Sequence, residues 1–195
     1  MKRIFTVVTC MLIAGAAYSQ NLSGGVRLGL NISNLKSTYD GGSSKDNARL
    51  SGHLGGYITY EFQDRMAFQP ELIISGEGSR SEAGNDKVKN NLTYINIPLL
   101  FRYNITEELN LHTGPQIGIL ASAKRKVDGD TDDVKDGLKG TNISWAIGAG
   151  YELPNNLNVG LRYNIGLSDI LDTVNDSKLK ASTFQIYVGY RLFSK

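Results

Sequence analysis

The stretch Leu157-Asn158-Val159-Gly160-Leu161-Arg162-Tyr163-Asn164-Ile165-Gly166-Leu167 alternates apolar residues with polar or small ones. Because successive side chains of a β-strand point to opposite faces, such a strand has an apolar face of Leu, Val, Tyr and Ile. Its other face carries Asn, Gly and Arg. An amphipathic helix would instead repeat its apolar residues every three to four positions. The stretch therefore predicts a β-strand with one apolar and one polar face.

The same period of two recurs in seven further segments. Their apolar positions start at Val26, Leu50, Phe68, Ile95, Leu109, Ile143 and Phe184. None of them has a convincing helical stripe. Strands of about 11 residues would suit a tilted crossing of a bilayer, and eight is an even number, as expected for a closed membrane barrel.

The connections between these segments alternate in length. Those after the second, fourth and sixth segments are short turns. Those after the first, third, fifth and seventh are long and polar, roughly residues 34–49, 80–91, 123–141 and 170–180. Long loops on one side and tight turns on the other are typical of outer-membrane β-barrels. The sequence thus predicts an all-β fold, an eight-stranded antiparallel up-and-down transmembrane β-barrel.

Alternation alone does not say which face points outward, since a soluble lipocalin-like carrier would place its apolar face inside. Three features favour an apolar exterior. The polar face is rich in glycine, which suits a narrow interior. It also holds four cations and four anions that can pair in a lumen: Arg27, Arg102, Arg162, Arg191, Glu61, Glu71, Glu77 and Glu152. Aromatic residues of the apolar face gather near the short-turn ends, as in a membrane girdle: Tyr60, Phe62, Phe68, Phe101, Tyr103, Tyr151 and Tyr190.

The N-terminus has the pattern of a secretory signal peptide. Lys2 and Arg3 precede an apolar run too short to span a bilayer, and Ala17-Tyr18-Ser19 supplies small residues before a cleavage site. We predict a signal peptide at 1–19 and a barrel domain at 20–195. Without residues 1–19 the chain has 19 basic and 19 acidic residues and no cysteine. A nucleic-acid partner would need a basic surface and is not expected.

The sequence also resembles a known family. The motifs are Tyr94-Ile95-Asn96-Ile97-Pro98-Leu99-Leu100-Phe101-Arg102-Tyr103, Gly114-Pro115-Gln116-Ile117-Gly118, Gly148-Ala149-Gly150-Tyr151-Glu152 and Leu161-Arg162-Tyr163-Asn164-Ile165-Gly166-Leu167-Ser168-Asp169. They are similar to those of the porin-like outer-membrane β-barrel family often labelled PorT-like. The resemblance implies an eight-stranded barrel in the outer membrane of a Gram-negative bacterium, and it carries no catalytic residues.

Candidate catalytic and metal-binding residues do not form a site in this arrangement. His53 lies near the outer end of the second strand and His112 near the inner end of the fifth. At about 2.5 Å per residue along a tilted strand, they should differ in height by more than ~10 Å. Ser51 lies beside His53 on one strand, where a triad rarely forms. Residues 127–133 lack the glycine and glutamate spacing of an EF-hand and suggest a solvated flexible loop. We predict no catalytic, cofactor or metal site.

These observations predict an integral protein of the cell outer membrane with a filled lumen and a structural, surface-interaction or assembly-linked role. The expected partners are outer-membrane lipid and lipopolysaccharide, with the barrel-assembly machinery during insertion. A passive small-solute pore, a surface barrel enzyme and a soluble lipocalin-like carrier remain as alternatives.

Overall fold

A computed structural model describes residues 21–39, 42–45, 47–83, 86–127, 130–172 and 178–195. The predicted signal peptide lies outside the described residues. The strands are β1 (Leu22–Tyr39), β2 (Gly42–Lys45), β3 (Asn47–Gln63), β4 (Met66–Ala83), β5 (Asp86–Asn104), β6 (Leu109–Val127), β7 (Asp130–Asp133), β8 (Thr141–Glu152), β9 (Leu157–Gly166) and β10 (Lys178–Ser194). Two single 3₁₀ turns lie at Lys135–Gly137 and Pro154–Asn156.

Eight long strands form a closed antiparallel ring. Each pairs with its neighbours along the chain, in the order β10, β9, β8, β6, β5, β4, β3, β1. The ring closes because β1 also pairs with β10, from Ser23 opposite Ser194 to Thr38 opposite Lys178. Closure pairs the backbone groups that a sheet edge would leave free, which is a requirement in hydrocarbon. The predicted eight-stranded up-and-down barrel is confirmed.

Among the described residues, no helix is long and apolar enough to cross a bilayer.

The apolar face of the barrel points outward. In β1, Leu28 is 62% exposed, whereas its neighbour Arg27 is 3% exposed. The same contrast recurs around the ring: Leu54, Ile74, Ile147 and Leu161 are exposed, and the polar residues between such positions are buried. A soluble carrier would show the opposite arrangement. The prediction of a polar lumen inside an apolar wall is therefore confirmed.

Several strands are much longer than the predicted 11 residues. β1, β3, β4, β5 and β6 contain 17 to 19 residues each. Much of what we predicted as loops at residues 34–49, 80–91 and 123–141 is therefore strand. These strand extensions pair into hairpins beyond the band of exposed apolar residues such as Leu28, Leu54 and Ile74, which we call the apolar belt. Above that belt both faces of a strand can be polar, so the alternation that predicts strands disappears there although the hydrogen-bonded ladder continues. We call this side of the barrel the hairpin end, and the opposite side the short-turn end.

The prediction of a flexible loop at residues 127–133 is wrong for the part that the structure describes. β7 pairs with β6, placing Asp133 opposite Lys124 and Asp132 opposite Arg125. A 3₁₀ turn follows at Lys135–Gly137, and Leu138 forms an isolated bridge with Leu171. Asp128 and Gly129 lie outside the described residues. Within the ranges that are described, no group of His, Cys, Asp and Glu side chains could hold a metal ion.

The predicted aromatic girdle lies on the outer face at the short-turn end. Tyr60 is opposite Phe68, and Phe68 is opposite Phe101, so these rings form a row across β3, β4 and β5. Phe62 also contacts Phe101, with 6.2 Å between ring centroids. All seven predicted aromatics are exposed. Their shared height is the arrangement seen at membrane–water interfaces.

Candidate functional site

A buried ion cluster crosses the lower part of the lumen. Glu71 of β4 accepts a hydrogen bond from Arg27 Nη1 of β1 at 2.7 Å. Arg162 of β9 donates to both oxygens of the same carboxylate, at 2.8 and 2.9 Å. Gln69 Nε2 adds a further donor at 2.7 Å. We call Arg27, Gln69, Glu71 and Arg162 the central cluster. Because it joins β1, β4 and β9, it fastens the barrel walls to one another through the lumen.

Two tyrosines pack around the central cluster. The Arg27 guanidinium lies 4.7 Å from the centre of the Tyr57 ring and 4.3 Å from that of Tyr187, both within cation–π range. The Tyr187 ring lies against Gly160, where an added Cβ would collide with the phenol group. Glycine at this inward position thus makes room for a large ring, as the predicted packing of a narrow lumen requires.

A second set of charges lies nearer the short-turn end. Glu152 is 3.0 Å from Arg102 Nη1 and 2.7 Å from Arg191 Nη2. The Glu152 side chain is 12% exposed, whereas that of Glu71 is fully buried. We call Arg102, Glu152 and Arg191 the basal cluster. Each cluster has one glutamate between two arginines, but the glutamates differ in their exposure to water.

Polar side chains fill the lumen above the central cluster; we call Asn31, Ser75, Glu77, Asn96 and Gln185 the amide layer. Asn31 donates to Ser75 Oγ at 2.9 Å and accepts from Gln185 Nε2 at 3.1 Å. Glu77 accepts from Asn96 Nδ2 at 2.9 Å. Six of the eight predicted lumen charges therefore form ion pairs, while Glu77 bonds to an amide instead.

Glu61 continues the inward face of Tyr57 and Thr59 on β3, but its side chain is not enclosed in the lumen as predicted. Glu61 is exposed near the end of β3, where the register with β4 shifts at the turn. At this height the strand has reached the rim of the barrel, so its alternation no longer decides which side chains are enclosed.

The two histidines lie at different levels and have no common hydrogen-bond partner. His53 Nδ1 lies 2.7 Å from Asn31 Oδ1 in the amide layer. His112 Nδ1 lies 3.4 Å from Asn110 Oδ1, and His112 Nε2 accepts from Arg162 Nε at 3.3 Å. Both rings are buried and hydrogen-bonded within the lumen, as predicted. Nothing in this arrangement pairs them as an acid and a base.

The lower lumen is filled by its own side chains. The space between the central and basal clusters has a volume of about 10 Å³ and is lined by Arg27, Tyr57, Arg102, Glu152 and Tyr187, among others. A space of this size holds about one water molecule. This part of the barrel therefore has no water-filled path of the width that a solute needs.

An apolar group closes the lumen at the hairpin end. It consists of Leu35, Leu92, Tyr94, Leu120, Ala123, Ile170 and Ala181, all buried. We call it the apolar cap; Val134, Leu138 and Leu179 pack against it. It was not predicted from the sequence. Its local signal is that inward positions turn from polar to apolar, from Ser33 to Leu35 and from Asn96 to Leu92. Ala123 could not be assigned inward because a register shift between Thr93 and Tyr94 changes which β6 residues above Leu120 face the lumen.

A row of basic residues crosses the outer face of the hairpin end. Arg80 of β4 is opposite Lys89 of β5, which is opposite Lys126 of β6. All three side chains are exposed and follow the outward alternation of their strands. The register partner of Lys126 on β7 is Thr131, so no acid faces it there. We call Arg80, Lys89 and Lys126 the basic row. Like charges directly opposite one another destabilise a sheet, so the row has an energetic cost.

Asp169 holds together the two sides of the last connection, before and after the part that the structure leaves undescribed. Its Oδ1 accepts hydrogen bonds from the amides of Leu171 at 3.1 Å and Leu179 at 2.8 Å. Lys139 Nζ lies 3.5 Å from its other oxygen. Partial burial acts to raise the pKa of this carboxyl, but the two amides and Lys139 outweigh it and hold the pKa below its ordinary value.

Comparisons with known proteins agree with this architecture. The model of a family described as "Outer membrane protein beta-barrel domain" matches residues 18–172. No curated protein sequence matches the chain closely enough to be a relative.

Among solved structures, the chain is similar to Ail, the attachment invasion locus protein of Yersinia pestis. The TM-score is 0.53 and the identity 18%, with 88% of this chain and 99% of that chain covered. The same protein in complex with the heparin analogue sucrose octasulfate matches at a TM-score of 0.53 and 17% identity, with the same coverage. OprG from Pseudomonas aeruginosa matches at a TM-score of 0.44 and 14% identity, with 91% of this chain and 100% of that chain covered.

Proposed function

The chain belongs to the outer membrane protein β-barrel domain family, and from this premise we propose that it is a closed surface barrel whose basic row binds the phosphorylated saccharide of lipopolysaccharide. The protein is located in the cell outer membrane. Barrels of this kind have short turns on the periplasmic side and longer connections outside the cell, so the hairpin end is extracellular.

The basic row is the observation that carries this proposal. Lys89 precedes Ile95 of the apolar belt by six residues, which places it roughly 15 Å above that belt on a tilted strand. This is the level of the lipopolysaccharide sugars rather than of the acyl chains. The row lies on the outward face, beside the lipids that surround the barrel. A bound phosphate would offset the repulsion among Arg80, Lys89 and Lys126, which nothing on their register partners does.

The solved complex of Ail with sucrose octasulfate supports the same class of ligand, since that compound is also an anionic sugar. At 17% identity the likeness concerns the fold alone. The assignment of an anionic saccharide as the ligand therefore rests on the basic row of this chain.

Binding of purified lipopolysaccharide to the barrel in lipid nanodiscs tests the proposal. The variant Arg80→Gln/Lys89→Gln/Lys126→Gln should bind at least about tenfold more weakly, because charge-assisted contacts to phosphate are lost. The matched control Arg65→Asn/Lys124→Gln/Lys195→Gln removes the same net charge from positions outside the row and should bind like the parent. Equal binding by both variants would refute the proposal.

Competition identifies the source of the anion. Added sucrose octasulfate should displace lipopolysaccharide only when present in excess, because the lipid is also held beside the barrel by its acyl chains. If the soluble sugar binds equally well to the row variant and to the parent, the row is not the anion site.

The filled lumen supports a non-conducting protein over a passive pore. The lower lumen contains a space of only about 10 Å³, and the apolar cap closes the other end. We also propose that the protein is not an enzyme, since the two histidines lie in separate hydrogen-bonded groups. Export by residues 1–19, insertion by the barrel-assembly machinery, a Gram-negative source and the PorT-like assignment are parts of the same proposal.

A further inference from the structure

A cavity of about 390 Å³ opens at the extracellular mouth, above the apolar cap. Most of its wall is apolar: Leu35, Leu92, Val134, Leu138, Leu171 and Leu179. Its volume lies at the lower end of the range for pockets that hold small organic molecules, roughly 300–1,000 Å³. Apolar walls open to water are costly for the protein, so an apolar occupant would be stabilised there.

The cavity also has a polar side, formed by Arg125, Asn90 and Ser37. Arg125 is the inward neighbour of the basic row, since its register partner on β5 is Asn90 rather than Lys89. Asp132 is opposite Arg125 on β7, yet no ion pair joins their side chains, and Arg125 has no ion-pair partner among the described residues. A cation at the edge of an apolar cavity matches a ligand with an apolar body and one anionic group.

We propose that this cavity is a binding site for an amphipathic monocarboxylate of medium chain length. The apolar chain lies among Leu35, Leu138 and Leu179, and the carboxylate pairs with Arg125. The site is distinct from the basic row, which faces lipid on the outside of the wall.

The cavity is a place of binding and not the start of a passage through the barrel. Its floor contains Leu35 and Leu92, which belong to the apolar cap. Below the cap lie the amide layer and the central cluster, whose side chains fill the lumen. A ligand that enters from outside therefore leaves by the same opening.

Calorimetric titration of the full barrel in lipid nanodiscs with decanoate tests the site, and empty nanodiscs correct for partition into lipid. Decanoate should bind saturably, and decanol, which has the same chain without the charge, about tenfold more weakly. Arg125→Gln should lower decanoate affinity to that of decanol while leaving decanol unchanged.

Two glycines provide a matched pair of blocking variants. Gly137 lines the cavity, and Gly140 does not; an added Cβ meets no atom within 4 Å at either position. Gly137→Trp should abolish binding of both ligands, and Gly140→Trp should leave it intact. The inference is overturned if decanoate does not bind above empty nanodiscs, if Arg125→Gln weakens both ligands equally, or if Gly137→Trp binds like Gly140→Trp. Loss of lipopolysaccharide binding in the row variant would leave these outcomes unchanged.

Discussion

Glu71 compensates two arginines of different strands, Arg27 of β1 and, on the opposite side of the barrel, Arg162 of β9. Arg27 and Arg162 are 3% and 1% exposed, so neither can rely on water for its solvation. Removing one member of a buried ion group leaves the others charged and uncompensated, which is the expensive way to break it. The sequence predicted that these residues share the lumen but not that both arginines pair with Glu71. This pairing depends on the stagger of β1, β4 and β9 along the barrel axis, which no local sequence pattern encodes.

Glu71→Gln should therefore destabilise the barrel by about 3–5 kcal/mol, because it leaves two buried guanidinium groups without a counter-charge. The matched control is Glu152→Gln, which also removes a glutamate shared by two arginines. Since the basal cluster is partly exposed, we expect a cost of about 1 kcal/mol or less there. Urea unfolding in lipid vesicles measures both. Equal losses for the two variants would contradict the role assigned to burial.

The strands show how far an amphipathic pattern can be followed. The apolar belt alternates, so the eight strands and their outward faces were predictable. The extensions of the strands to Tyr39, Ala83 and Val127 were not predictable. Above the membrane both faces of a strand can contact water, so the residue types no longer distinguish one face from the other. Gly78 marks such an extension. Its φ of 131° is disfavoured for other residues, and an added Cβ would collide with the carbonyl oxygen of Asn90.

Gly78→Ala should disrupt the β4–β5 hairpin above the membrane and cost about 1–3 kcal/mol of backbone strain. Gly52→Ala is the control on a neighbouring strand, since its added Cβ would be 3.5 Å from the nearest atom, an ordinary contact. Amide hydrogen exchange is the measurement. Faster exchange at residues 79–83 and 86–90 in Gly78→Ala alone is expected, and unchanged protection there would show that the hairpin tolerates the side chain.

The segment held by Asp169 should loosen in acid. The pKa of Asp169 lies below its ordinary 3.8, so its ionised form is favoured by the folded protein. The stability it contributes is complete above the ordinary pKa and is lost as the pH falls through the lower folded pKa. The amide NMR signals of Leu171 and Leu179 should therefore shift together with a midpoint below 3.8.

Asp169→Asn should abolish this shared transition, and Asp172→Asn, which alters an exposed neighbour, should preserve it. A midpoint at or above 3.8 in the parent protein would contradict the assigned contacts.

At the scale of the whole molecule, closure and polarity were predictable, whereas the arrangement of the extracellular end was not. The asymmetry in loop length and the apolar faces of the strands were sufficient to predict a barrel with a polar lumen. The apolar cap and the basic row form only when residues far apart in sequence reach the same height, as Leu35 and Leu120 do. The register shift beside Tyr94 contributes to this arrangement, and such a shift leaves no trace in the hydrophobic pattern.

Two obstructions along the lumen should prevent the barrel from conducting ions. The central cluster and the apolar cap obstruct the same path at different heights, and current through a series path is limited by whichever obstruction remains. Planar-bilayer recordings should therefore show no stable channels for the parent, for Leu35→Ser/Leu92→Ser/Leu120→Ser, or for Arg27→Ser/Glu71→Ser/Arg162→Ser. The variant that combines all six changes should also lack channels, because the amide side chains of Asn31, Asn96 and Gln185 still fill the lumen between the two sites. Heat-modifiable gel mobility shows that each variant is folded before it is recorded. Steady channels in the parent would refute the closed lumen, and steady channels in one triple variant would show that the other layer is no barrier.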